Sequence, residues 1–147
     1  MNESSNTSPL WPQARTYLAN EIHGWLDIHS TDALTLPLPD EDWLLEITAD
    51  GKLVCMAGYD LEDMKSMLSD GTPEDLGTDE LAKQAKFYLQ QTVSKHRPKL
   101  LRQGFTERIE MNESHVAAHY ERPVDFGHLA DLHQQIKTCL TWFPGSR

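Results

Sequence analysis

Apolar positions divide the chain into segments of two periods. From Pro9 to about Ile28, Trp11, Ala14, Leu18, Ile22 and Trp25 recur at three- and four-residue spacing, which predicts an amphipathic helix entered through Ser8, Pro9 and Pro12. Gly24 weakens its last turn. In "STDALTLPLPDED", Pro37 and Pro39 alternate with Leu36 and Leu38, which suits an extended connection and denies a helix. "WLLEITADGKLVCMAGYD" then alternates about Asp50-Gly51, the pair that suits a two-residue hairpin turn. With that turn Ile47 faces Val54, Leu45 faces Met56 and Trp43 shares their core face, while Leu44, Glu46, Thr48, Leu53 and Cys55 fall on a mixed opposite face.

Leu61, Met64 and Leu68 predict a short helix over residues 60–68, followed by the turn-rich "SDGTPEDLG". Thr78 is a suitable N-cap for a long helix over about 79–97, with Leu81, Ala85, Tyr88, Leu89 and Val93 inward and Pro98 ending or kinking it. "FTERIEMNESHVAAHYERPV" predicts a second hairpin over about 105–121, turning at Asn112-Glu113, so that Phe105 faces Tyr120 and Ile109 faces Val116. Asp125 can cap a final helix over about 126–143, whose stripe is Leu129, Leu132, Ile136, Cys139, Leu140 and Phe143. Two hairpins (about 43–57 and 105–121) packed against helices (about 9–28, 79–97 and 126–143) define an α+β fold with an antiparallel sheet. The polar Met1–Ser8 is expected to be a disordered tail, and residues 9–147 a single domain.

Charge changes this picture most. The formal net charge is −10, and it is polarised: Asp32–Glu80 holds 14 acidic residues against Lys52 and Lys65, whereas Lys83–Arg102 holds six Lys or Arg and no acid. The basic run is explained in part by a helix that begins Thr-Asp-Glu and ends Lys-His-Arg, complementing its own dipole. Nucleic-acid binding is disfavoured by the acidic excess and by the lack of interleaved aromatic residues. The basic strip is instead expected to complement the acidic block, within or between subunits. No apolar run is long enough for a membrane helix and no secretion signal opens the chain, so a cytoplasmic protein is expected.

Candidate chemistries are sparse. His115 and His119 fall on a strand, where residues four apart stand roughly 13 Å from each other, and His128 and His133 point apart on a helix, so no metal site is expected. The acidic run from Asp70 places Asp75 where a calcium loop needs Gly and Leu81 where it needs Glu. There is no nucleophile elbow, no glycine-rich phosphate loop and no zinc-protease motif. Cys55 and Cys139 sit among apolar neighbours and read as inert thiols without a disulfide or metal spacing. No cofactor and no catalytic residue is assigned.

These features favour a non-enzymatic, acidic protein-binding module, of the immunity, chaperone or adaptor kind, engaging a basic protein partner and allowing a homodimer. The element order alone resembles that of small bacterial type III secretion chaperones. The partner-binding surface is expected at Leu36, Leu38, Asp40, Glu41, Asp42, Leu44 and Leu53, as an exposed apolar patch rimmed by acids. The alternative is a small-molecule-binding domain or enzyme with a pocket between sheet and helices lined by Trp25, Trp43, Cys55 and Tyr59.

Overall fold

The structure is a computed structural model that describes residues 8–26, 31–40, 42–61, 78–112 and 114–143, the side chains of 78–82 excepted. The expected helix over 60–68 lies almost wholly outside them, as do the tail and Glu41. Helix α1 (Trp11–Glu21) is followed by strands β1 (Ala33–Pro37), β2 (Trp43–Thr48) and β3 (Lys52–Asp60). Helices α2 (Thr78–Ser94) and α3 (Arg97–Arg102), strands β4 (Thr106–Met111) and β5 (His115–Pro123), and helix α4 (Leu129–Trp142) complete the order. The five strands form one antiparallel sheet in the order β1-β2-β3-β5-β4, so the α+β class holds.

The chain divides into two compact units, residues 1–55 with 121–147, and residues 56–120. In the first, the inward stripe of α1 (Trp11, Ala14, Leu18) and that of α4 (Leu132, Ile136, Cys139) are buried together with Leu34, Leu36, Trp43, Leu45, Ile47, Leu53 and Cys55. Trp11 packs on Phe126 with ring centroids 5.5 Å apart, and Trp43 on Phe143 at 4.9 Å, so two aromatic pairs contribute to the packing of this unit. Helix α1 stops at Glu21, earlier than its apolar spacing suggested, where Ile22 turns extended and Gly24 takes a positive φ. Trp25 still reaches back, its Nε1–H donating to the Leu18 carbonyl at 3.0 Å. Asp125 holds the turn before α4 by accepting the Gly127 N–H, while the helix itself starts without a side-chain cap.

Two strand registers differ from expectation. The β2–β3 loop has three residues, Ala49–Gly51, because the Thr48 carbonyl accepts the Gly51 N–H at 3.0 Å and the Thr48 hydroxyl accepts the Lys52 N–H at 3.2 Å. Gly51 supports this with φ +92°, a conformation other residues rarely adopt. Thr48 therefore faces Lys52, Ile47 faces Leu53 and Leu45 faces Cys55, which moves Leu53 and Cys55 onto the core face. Their exposures of 1% and 0% agree. The segment written off as an extended connection is also a strand: β1 pairs with β2, Leu34 against Ile47 and Leu36 against Leu45. Its prolines are tolerated because β1 is an edge.

In the second unit, α2 buries Ala85, Leu89, Thr92 and Val93, and leaves Tyr88, expected inward, 36% exposed. Pro98 lies in the first turn of α3, so it starts a new short helix after α2 has ended at Ser94. The β4–β5 turn is one position later than expected: the Asn112 N–H donates to the His115 carbonyl at 2.9 Å, and Asn112 Oδ1 accepts the N–H groups of Ser114 and His115. Counting back, Glu107 faces Tyr120 and Ile109 faces Ala118, in place of the expected partners.

Gly58 on β3 lies against Val116 and Ala117 of β5 in the second unit. A Cβ there would lie 2.8 Å from both the Ala117 Cβ and the Val116 carbonyl oxygen, neither of which is the end of a flexible side chain. Gly58→Ala is expected to lower stability by about 1–3 kcal/mol, read as a lower urea midpoint at unchanged slope.

Candidate functional site

Among the described residues, a groove opens in each unit. In the first, the turn after α1 and the β1–β2 connection open a shallow depression of about 340 Å³ lined by His23, Gly24, Leu36, Pro37, Leu38, Pro39 and Leu140. Its form follows from the sequence "LPLP", in which β1 runs on to the Leu38 N–H, bonded to the Trp43 carbonyl at 3.1 Å, before the chain turns. Leu36 lies 3.3 Å from the position a Gly24 Cβ would take, so the glycine lets the α1–β1 connection lie against the strand. Proline rings and leucine side chains make the floor rigid and apolar.

The expected partner-binding residues separate in this light. Leu36 and Leu38 are only 5% and 4% exposed but do line the groove. Leu53 is core, because the longer β2–β3 loop turns it inward, and Leu44 is half-buried on the opposite sheet face. The exposed leucine patch is therefore corrected to a groove at Leu36 and Leu38. Asp40 is buried and structural: its N–H donates to the Phe143 carbonyl, its carbonyl accepts the Trp43 N–H and its Oδ1 accepts the Asp42 N–H. Asp42 is exposed, and Glu41 lies outside the described residues. Among the residues of the expected pocket, Trp43 is packed on Phe143, Cys55 is buried beside Cys139, and Trp25 is tied to α1. Tyr59, in the second unit, hydrogen-bonds Thr92. None of the four lines either of these grooves: Trp43 and Cys55 are core, and Trp25 and Tyr59 are half-buried.

The second groove, about 330 Å³, lies between α2 and β4 and is lined by Lys86, Leu89, Gln90, Val93, Ser94, Arg97, Glu107 and Ile109. At one end Arg97 grips Glu107 with two hydrogen bonds, Nε to Oε2 at 2.7 Å and Nη2 to Oε1 at 3.1 Å, and Tyr120 donates its hydroxyl proton to Oε2 at 2.6 Å. Arg97, then Tyr120, hold the Glu107 carboxyl below its ordinary range, and burial followed by the hydrogen bond to Glu107 pushes the Tyr120 phenol up. The register expected for β4 had hidden Glu107 as a neighbour of Arg97.

The remaining candidate groups do not assemble a reactive centre. His115 and His119 both approach Glu110, with Nε2–O distances of 3.7 and 3.2 Å, and no cluster of three metal-binding side chains occurs among the described residues. Burial, then Asp50 and Glu121, raise the Glu46 carboxyl above its usual range, and Lys52 lies between Asp50 and Glu121 at 4.0 and 3.9 Å. Cys55 and Cys139, 84 positions apart in sequence, meet in the core as free thiols, and their mutual hydrogen bond and burial push the Cys55 thiol up. No family model, curated protein or solved structure matches the chain. No helix among the described residues is long and apolar enough to cross a membrane.

Two outcomes are expected. A carboxyl held low in the fold stabilises it above the ordinary carboxylate range and loses that contribution as pH falls through the depressed value. Glu107→Gln should therefore lower the melting temperature at neutral pH and have a diminishing effect as pH drops below about 4. Both cysteines should resist a thiol reagent in the native protein and react fully in denaturant.

Proposed function

We propose that the protein is a non-enzymatic protein-binding module whose first unit takes a basic partner segment along the groove of His23, Gly24, Leu36, Pro37, Leu38, Pro39 and Leu140. The observation that carries this reading is a rigid apolar groove in a unit with 12 Asp or Glu against 5 Lys or Arg. Glu21 and Asp42, both exposed, lie close in sequence to the lining residues His23 and Pro39, so carboxylates flank the apolar floor along the chain. Such a surface steers a cationic partner by charge and holds it by burying apolar side chains against Leu36, Leu38 and Leu140. The same charge repels phosphate backbones, which favours a protein over a nucleic acid.

A second reading, small-molecule binding, is favoured by the second unit's groove, whose volume of about 330 Å³ and mixture of Leu89 and Val93 with Lys86, Gln90 and Arg97 suit a small anionic amphiphile.

The test uses the full chain, immobilised, to capture proteins from the source lysate at low and high salt, with Leu140→Glu as the control. A basic protein retained at low salt, released by high salt and lost in Leu140→Glu is the expected result. Retention indifferent to both changes, or no protein retained, overturns the reading.

A further inference from the structure

The sheet has two edges, and the described chain treats them differently. At β1 the backbone groups of the odd-numbered residues point outward, because the even-numbered Leu38 is the one bonded to β2 through the Trp43 carbonyl. That edge is partly blocked: the Thr35 carbonyl accepts the Leu26 N–H at 2.8 Å, and Pro37 has no N–H to offer. At β4 the bond from Asn112 to His115 assigns the even-numbered residues to β5, so the N–H and C=O groups of Glu107, Ile109 and Met111 point away from the sheet. No backbone hydrogen bond from elsewhere in the described chain reaches them, and β4 contains neither Pro nor Gly.

The side chains of this edge complement themselves. Laid antiparallel on a second copy and centred on Ile109, the strand Thr106-Glu107-Arg108-Ile109-Glu110-Met111 sets Arg108 against Glu110 of the other copy, twice over, and Ile109 against Ile109. The centring also matches the backbone, since Glu107, Ile109 and Met111 are the residues whose groups point outward, so about six main-chain hydrogen bonds form. Ile109, now 47% exposed, gains its own counterpart as an apolar neighbour, while Met111, 41% exposed, faces Glu107 of the other copy and lies diagonal to its Ile109. The Arg108 and Glu110 side chains are 54% and 42% exposed and 3.7 Å apart within one chain, within reach of a facing strand.

We infer that β4 is a homodimerisation edge, pairing antiparallel with β4 of a second copy about Ile109. This contact is independent of the basic partner proposed for the first unit. It joins two sheets by strand addition, with Arg108 and Glu110 setting the register.

Sedimentation velocity of the full chain across a concentration series tests it, with folding of each variant checked by circular dichroism. The wild type is expected to show a reversible monomer–dimer equilibrium. Arg108→Glu, which turns both facing pairs repulsive, should weaken dimerisation roughly tenfold or more. Arg108→Glu combined with Glu110→Arg restores opposite charges and should recover the dimer. A wild type that stays monomeric throughout, or a dimer indifferent to Arg108→Glu, overturns the inference, as does a folded double variant that dimerises no better than the single one.

Discussion

The loop between β2 and β3 decides which side chains this protein keeps for itself. The Thr48 hydroxyl accepts the Lys52 N–H, the Thr48 carbonyl accepts the Gly51 N–H, and Gly51 supplies the left-handed backbone that lets three residues make the turn. Strand side chains alternate with a period of two, so one added loop residue exchanges the two faces of β3. Leu53 and Cys55 thereby join Leu45 and Ile47 in the core. The groove proposed for a partner is bordered by β1 and its prolines.

The same alternation organises the second unit. The Asn112 side chain gathers the N–H groups of Ser114 and His115, which places the β4–β5 turn one residue later and brings Glu107 opposite Tyr120. Glu107 then lies within reach of Arg97, and an apolar groove between α2 and β4 ends in a bidentate ion pair. Exposed ion pairs contribute little to stability, but this geometry fixes the orientation of β4 against the helix. The strand that results carries charges of alternating sign on one face and half-exposed Ile109 and Met111 on the other.

Much of the architecture was legible from residue patterns. Apolar spacing located α1, α2 and α4, and alternation with turn residues located both hairpins, because those signals are local. The registers were not legible, since they depend on side-chain-to-backbone bonds by Thr48 and Asn112 that compete with the turn read from Asp50-Gly51 or Asn112-Glu113. Strand β1 was hidden by Pro37 and Pro39, which forbid a central strand but not an edge. Of the candidate site, Leu36 and Leu38 were found for a partial reason: their alternation with prolines was visible, but the partners that make a groove, His23 and Leu140, come from distant parts of the chain. The meeting of Cys55 with Cys139 is likewise a tertiary fact that no spacing announces.

The proposed partner site is therefore a rigid apolar groove in an acidic unit, in place of an exposed leucine patch. The most direct measurement is the hydrogen–deuterium exchange footprint of a captured basic partner on the full chain. The account predicts added protection at His23–Trp25, at Leu36–Asp40 and in the last turn of α4 around Leu140. Protection concentrated on β2 and β3, with none at Leu36–Asp40, would contradict it.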